Sequence, residues 1–436
     1  MGRAGARLEG LSPSMSSLGT PVPPSELGPA SSATTVAPGS EVSANPDKAR
    51  PPLDRDFRPD VEGLRAVAVA TVVLFHAGVP GFSGGYVGVD IFFVISGFVI
   101  TKLLLRQVER HSRPLFSEFY ARRARRILPA AGVVVLGTLL ASYALLGFIR
   151  GNEVADDSRW VAVFLGNYHF GAVGTNYFQS QLPPSPLQNY WSLAVEEQFY
   201  IVYPALIAVT VFVLRRYSVR AKLTVLTVAI VAASLAWSIY YTSADPTGAY
   251  FAATTRAWEL ALGGLLAAGA MWFSRLPSAV YPVAGWAGIG AIVASVGWFS
   301  TTTAYPGWLA LLPVGGAGLV ILAGYRLSPA GPERALGTRG LRWVGKLSFS
   351  IYLWHWPLLE LATQDAAHPL SLPRRLGLVA LSVAGAAMTF AILENPVRKS
   401  RWLAGHKVAS LTMGVCIVAA MFGAAVLEVH LHPGLL

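Results

Sequence analysis

The sequence predicts an all-α integral membrane protein, a polytopic helical bundle of about 10–11 transmembrane helices. Three observations lead there. Hydrophobic residues make up 53% of the 436 residues and charged residues only 13%, against about 25% charged in a soluble domain. The mean hydropathy is +0.50. Apolar segments of about 20 residues, the length a helix needs to cross a bilayer core of about 30 Å, follow one another from residue 61 towards the C-terminal end. This composition excludes an ordinary soluble enzyme, and it excludes disorder over most of the chain.

Residues 1–54 stand apart. The stretch GLSPSMSSLGTPVPPSELGPASSATTVAPGS is rich in Pro, Ser, Gly, Thr and Ala. It buries too little apolar surface to offset ordering and reads as a disordered tail. It lacks the continuous apolar core of a secretory signal peptide. Eleven candidate spans follow, at 61–80, 86–106, 128–149, 191–214, 222–241, 251–272, 280–299, 308–325, 344–364, 374–393 and 408–428. The segment Trp160–Phe170 is too short to span and reads as re-entrant or interfacial. The organisation is a tail (1–54), a membrane domain (55–400), and a last transmembrane helix with a short extracytoplasmic tail (401–436).

The net charge is +11, from 34 Lys+Arg against 23 Asp+Glu, and 28 of the cations are Arg. In so apolar a chain this favours contact with an anionic leaflet or an anionic substrate over nucleic acid. Cations cluster before the first span (Arg50, Arg55, Arg58) and after the second (Arg106, Arg110, Arg113, then Arg122 to Arg126). Others follow the fourth (Arg215, Arg216, Arg220, Lys222), the eighth (Arg326, Arg334, Arg339, Arg342) and the tenth (Arg398, Lys399, Arg401, Lys407). With eleven spans all of these lie on one side, which the positive-inside rule makes cytoplasmic. The N-terminus is then inside and the C-terminus outside. Arg374 and Arg375 break the pattern. The opposite loops include 151–190, with Glu153, Asp156 and Asp157. A single cysteine, Cys416, excludes an internal disulfide framework, and the eight His lack metal-ligand spacing, so no metal site is expected.

An ionisable group at mid-membrane costs roughly 2.5–3.5 kcal/mol on insertion scales, so each one needs a reason. The first span holds Arg65 and His76, about 16 Å apart along a helix axis and near one face. A general base above an anion-binding Arg is one reading; a snorkelling Arg and a hydrogen-bonded interhelix His is the other. Asp90, near the outer end of the second segment, is a candidate partner for His76 or merely interfacial. Gly85, Gly88, Ser96 and Gly97 allow close helix contact.

FYARRARRILP carries Arg122, Arg123, Arg125 and Arg126, a clamp for a phosphorylated donor such as coenzyme A or a site for lipid headgroups. Glu196 and Glu197 in NYWSLAVEEQFYIVYP point about 100° apart on a helix; general base, substrate-hydroxyl ligand and Arg partner all stay open. Arg256 and Glu259 form an i,i+3 pair that either neutralises itself or contacts substrate. His355 lies mid-span between Trp354 and Trp356, with Glu360 beyond. GFSGG at Gly81–Gly85 matches G-x-S-x-G, but it joins two membrane helices where a nucleophile elbow needs a strand and a strained turn, which argues against Ser83. HExxH, Walker A and GxGxxG patterns are absent from the sequence, and no internal repeat suggests an inverted-repeat transporter.

Together the segments FRPDVEGLRAVAVATVVLFHAG, GGYVGVDIFFVISGFVIT, FYARRARRILP, WSLAVEEQFYIVYP, FAATTRAWELALGG, LSFSIYLWHWPL and LENPVR resemble the membrane-bound acyltransferase family 3, in the family's order over roughly residues 55–400. The resemblance implies O-acyl transfer, often of acetyl, from cytoplasmic acyl-coenzyme A to an acceptor hydroxyl at the outer face. It implies a multi-pass protein of the bacterial inner membrane, no bound cofactor, and acetyl-coenzyme A as donor substrate. The expected partners are membrane lipids and a cell-envelope glycan or glycolipid.

The family's R-x10-H pair matches Arg65 and His76, and its R-x-x-R motif matches twice, as Arg122/Arg125 and Arg123/Arg126. The expected catalytic set is His76, Glu196, Glu197, Asp90 and His355. The expected anion-binding set is Arg65, Arg122, Arg123, Arg125, Arg126 and Arg256. Many relatives with a LENPVR segment continue through one more span into an SGNH esterase-like domain. Here such a domain would come from a separate SGNH-type protein, from the rest of a split gene, or not be needed. The other readings are a transporter or exporter of a glycan or lipid precursor, and a macrolide-type small-molecule O-acyltransferase.

Overall fold

The computed structural model describes residues 57–175, 183–214 and 216–432. The predicted tail 1–54, together with Arg50, Arg55 and Arg215, lies outside the described residues. Among the described residues there are helices and turns but no strands.

The first helix, α1 (Pro59–His76), starts with Pro in its first turn beside Asp60 and Glu62, which suit a helix N-terminus. A 3₁₀ turn at Gly85–Val87 leads into α2 (Gly88–His111). The third, α3 (Phe116–Ala162), has 47 residues, about 70 Å if straight, more than a bilayer needs. It breaks at Gly147, whose φ of 78° only glycine takes cheaply. The expected span 128–149 therefore stops at the break, and much of the expected outer loop is helical. Trp160–Phe170 is not one re-entrant piece: it divides between the end of α3 and the start of α4 (Gly166–Thr175).

Next come α5 (Tyr190–Val213) and α6 (Val219–Ala244), then α7 (Pro246–Phe251), a short helix capped by the Asp245 side chain, which accepts from the Gly248 N–H at 2.9 Å. They are followed by α8 (Ala253–Ala268), α9 (Ala270–Phe273), α10 (Val280–Trp298), α11 (Leu311–Ala323), α12 (Glu333–Leu336), α13 (Arg339–Asp365) and α14 (Leu372–Thr389). A π-helical turn at Phe390–Glu394 passes into α15 (Asn395–Lys399), before α16 (Arg401–Gly405) and α17 (Lys407–Leu431).

Every predicted span falls on a helix. Seven helical segments are long and apolar enough to cross a membrane, so the chain is a multi-pass membrane protein. The rest are instructive. α8 has 16 residues and α11 has 13, while α1 and α13 are long but charged. Helices α1, α8 and α13 hold Arg65, His76, Arg256, Glu259 and His355, and the apolar helices shield them. α6 and α17 expose most of their apolar surface, as lipid-facing helices do, whereas α2 is largely enclosed.

The crossing of α2 and α8 sets the centre of the bundle. A Cβ on Gly97 would overlap the carbonyl oxygen of Leu260, and one on Gly263 would overlap that of Val94. Backbone meets backbone there, as small residues allow in membranes. Gly97→Leu is therefore expected to cost more than the about 1–3 kcal/mol of ordinary overpacking. Gel filtration of the detergent-solubilised variant should show loss of the monodisperse peak; an unchanged peak and melting temperature would contradict this crossing.

Candidate active site

Three polar centres lie inside the bundle, and each collects side chains from several helices. The first is a histidine pair. His76 ends α1, and its Nδ1 lies 3.0 Å from His355 Nε2. The two rings stack at 5.2 Å, and the Trp356 ring lies 4.6 Å from that of His76. His355 Nδ1 is 2.7 Å from the Tyr352 carbonyl oxygen. That oxygen only accepts, so Nδ1 of His355 carries the proton and its Nε2 accepts from His76 Nδ1–H. His76 is left with an unprotonated Nε2. The Tyr352 carbonyl is itself held by Asn189 Nδ2 at 2.9 Å. His355 is fully buried and His76 half-buried.

The second centre is a buried ion triad. Arg256 Nη1 lies 2.8 Å from Asp90 Oδ1 and 3.1 Å from Glu259 Oε1. Their side chains are 2% exposed or less, and the rings of Trp191, Tyr250 and Tyr305 surround the guanidinium at 5.0–5.5 Å. The i,i+3 pair forms as expected. Asp90 differs from expectation: its carboxylate meets Arg256, and His76 takes a second histidine as its partner. The reason is the close α2–α8 crossing, which turns the first turn of α2 towards α8. Arg256 is flanked by two carboxylates, so its charge is balanced inside the bundle.

The third centre is a cavity of about 90 Å³ near the other end of α1. Arg65, Arg123 and Arg126 line it with Glu196, Tyr200, Ser96 and Tyr352. The two R-x-x-R registers separate here. Arg123 and Arg126 face the cavity. Arg122 pairs with Glu118 at 2.6 Å on the rim, and Arg125 turns to α16 and α17, bonding the Leu403 carbonyl (2.9 Å) and Ser410 Oγ (2.8 Å). Arg123 is balanced by Glu197 at 2.7 Å and Glu196 at 3.7 Å, and lies 3.4 Å over the Tyr200 ring. Glu196 also accepts from Ser96 at 2.8 Å and from Tyr200.

Arg65 is different: it donates to Ser348 Oγ at 3.1 Å. Among the described residues neither Arg65 nor Arg126 forms an ion pair, although Glu196 and, less strongly, Glu394 act on both electrostatically. Two cations outside any ion pair therefore face one cavity, which Glu196 shares. Neither His76 nor His355 lines this cavity; Tyr352, one turn before His355, does.

Ser348, Tyr352 and Glu394 were not among the expected residues. Ser348 and Tyr352 share one face of α13 with His355, at spacings of four and three, and that spacing could have revealed them. Glu394, 3% exposed, accepts from Ser350 at 2.9 Å and sits in the π-helical turn, a feature frequent at functional sites; only the LENPVR segment hinted at it. Glu360 is held by Gln364 at 2.8 Å, away from the histidine pair. Ser83 donates to the Phe299 carbonyl at 2.7 Å, so its hydroxyl is occupied.

The bundle thus carries a histidine pair and a cationic cavity near opposite ends of one helix. The family model described as "Acyltransferase domain" matches residues 58–394, and the chain belongs to that family, acyltransferase family 3. It is 32% identical over 364 residues to the peptidoglycan O-acetyltransferase OatA of Listeria monocytogenes, covering 80% of this chain and 57% of that protein. It is 32% identical over 361 residues to the putative peptidoglycan O-acetyltransferase YrhL of Bacillus subtilis, covering 78% and 55%. It is 30% identical over 369 residues to the putative membrane-bound transacylase BcsY of Komagataeibacter xylinus, covering 80% and 86%. The chain thus spans a little over half the length of the first two. No solved structure matches it significantly.

Proposed function

We propose that this chain is an O-acyltransferase of the bacterial inner membrane that moves an acetyl group from acetyl-coenzyme A to a hydroxyl of a cell-envelope glycan. The observation that carries the reading is the chain of contacts from the Tyr352 carbonyl through His355 to His76, which fixes one tautomer and leaves His76 Nε2 free to accept a proton. Arg65 and Arg126 supply the charge for the donor's phosphates, with Arg123 held beside them by Glu196 and Glu197. The relatives named as peptidoglycan O-acetyltransferases support a glycan acceptor.

In the reaction His76 Nε2 takes the acceptor hydroxyl's proton while that oxygen attacks the thioester carbonyl. The new C–O bond forms, the C–S bond breaks, and the thiolate leaves and is reprotonated. The cationic loops support a cytoplasmic arginine end and N-terminus, with the histidine end outside. About 16 Å separates Arg65 from His76 along α1, the distance that the donor's extended pantetheine arm would have to bridge.

Purified protein in lipid should release thiol from acetyl-coenzyme A in the presence of a glycan acceptor. Mass spectrometry should find one acetyl per modified sugar in the envelope of cells with the gene and not in those without. Flux of a glycan precursor without thiol release would overturn the reading. Arg126→Gln should raise the donor KM by about tenfold or more, the worth of one charge-assisted bond, while Arg122→Gln leaves it unchanged. The same effect from both would contradict the register seen here.

A further inference from the structure

The arginine cavity changes character along its length. Arg123 reaches Glu196 at 3.7 Å, and Ser96 donates to Glu196 at 2.8 Å, so this charged part of the lining lies at the level of Ser96 on α2. Towards the start of α2 the wall continues through Phe93 and Phe92 to Val89, about 10 Å of helix beyond Ser96. Leu193 and Tyr352 also line this stretch, which carries no charge.

Two rings close its end. Tyr352 is tied at both ends to the turn that starts α5. Its hydroxyl donates to the Asn189 carbonyl at 2.9 Å and lies 2.7 Å from Ser192 Oγ, while its own carbonyl accepts from Asn189 Nδ2 at 2.9 Å. The Phe92 ring meets that of Tyr352 edge-on, with centres 6.3 Å apart. The His355 ring lies 5.4 Å from that of Tyr352, so the cavity ends one ring away from the histidine pair. Tyr352 cannot swing aside without leaving buried polar groups unpaired. Phe92 is half-buried and held by packing alone.

An uncharged stretch with a fixed end wall disfavours phosphate and suits a hydrocarbon group of limited size. We propose that Phe92 and Tyr352 set the length of the transferred acyl group. A short acyl group seats against these rings beside the histidine pair, and a chain several methylenes longer does not fit. This rests on the acyl-transfer reading above and assigns the specificity of its donor to two named side chains.

The test measures equilibrium binding of acetyl-, butyryl- and hexanoyl-coenzyme A to the full chain in lipid nanodiscs, by titration calorimetry. One misfitting methylene in such a pocket is worth about tenfold or more, so the native protein should bind the hexanoyl donor at least tenfold more weakly than the acetyl donor. Phe92→Ala should tighten hexanoyl binding at least tenfold relative to acetyl, and Phe92→Leu should shift it the same way by less. A gain of binding does not arise from misfolding. Equal binding of the three donors by native protein, binding of none, or unchanged discrimination in both variants overturns the gauge. Thiol release, measured on the same preparations, separates the two ideas. Selective binding without release would refute acyl transfer and keep the gauge, whereas release from acetyl and hexanoyl donors at equal kcat/KM would do the reverse.

Discussion

His76→Ala is expected to lower acyl transfer by about 10²–10⁴-fold, the usual worth of a general base, in protein that still folds and inserts. His355→Leu should lose nearly as much, although the proposed role of His355 is to position His76 rather than to touch the acceptor. Without its Nε2 as acceptor, the His76 Nδ1–H has no fixed partner and the ring loses both tautomer and orientation. His355→Gln keeps an accepting oxygen near that position, so it should recover at least tenfold over His355→Leu. Single-turnover transfer measured across pH distinguishes this from a packing role: the rate should fall on acidification as His76 protonates, and His355→Leu should alter the profile as well as its height. A His76→Ala protein that transfers acetyl at the normal rate would end the base assignment.

Arg256→Met should be the most damaging substitution for stability. It leaves Asp90 and Glu259 facing each other with no cation, in a site where all three side chains are 2% exposed or less. Breaking a buried ion pair by removing one partner costs about 3–5 kcal/mol, and here two carboxylates lose the same partner. Thermal melting of the solubilised protein should show the loss. Neutralising the whole triad, as Arg256→Met with Asp90→Asn and Glu259→Gln, should restore much of the stability, because no buried charge is then uncompensated. If the single variant melts like the native protein, or the triple variant fares worse than the single one, the triad does not carry the load assigned to it.

Much of the architecture was legible because hydropathy is a local property. Each of the eleven apolar segments became a helix, and the polar positions within them marked the interior helices. The limits were equally physical. The described part of the expected loop 151–190 is largely helical because a single glycine, Gly147, turns the chain and a second helical stretch follows. Arg122/Arg125 and Arg123/Arg126 have the same spacing, and the choice between them depends on how α3 is rotated against its neighbours, which no spacing records. Asp90 was open to His76 or to solvent until the glycines at the α2–α8 crossing brought it onto Arg256. Ser348, Tyr352 and Glu394 went unnamed because single serines, tyrosines and a helix-end carboxylate are ordinary in such a sequence.

By itself, then, the sequence determined a helical membrane protein with ionisable side chains sunk into particular segments, and motifs enough to name a family. Only the tertiary structure decided which of those groups neutralise one another and which stay available. Asp90 and Glu259 are spent on Arg256, whereas Arg65 and Arg126 face a cavity and His76 keeps a free nitrogen. The physical reason is that burial demands a partner for every charge, and which partner is within reach is set by helix rotation and crossing, not by distance along the chain.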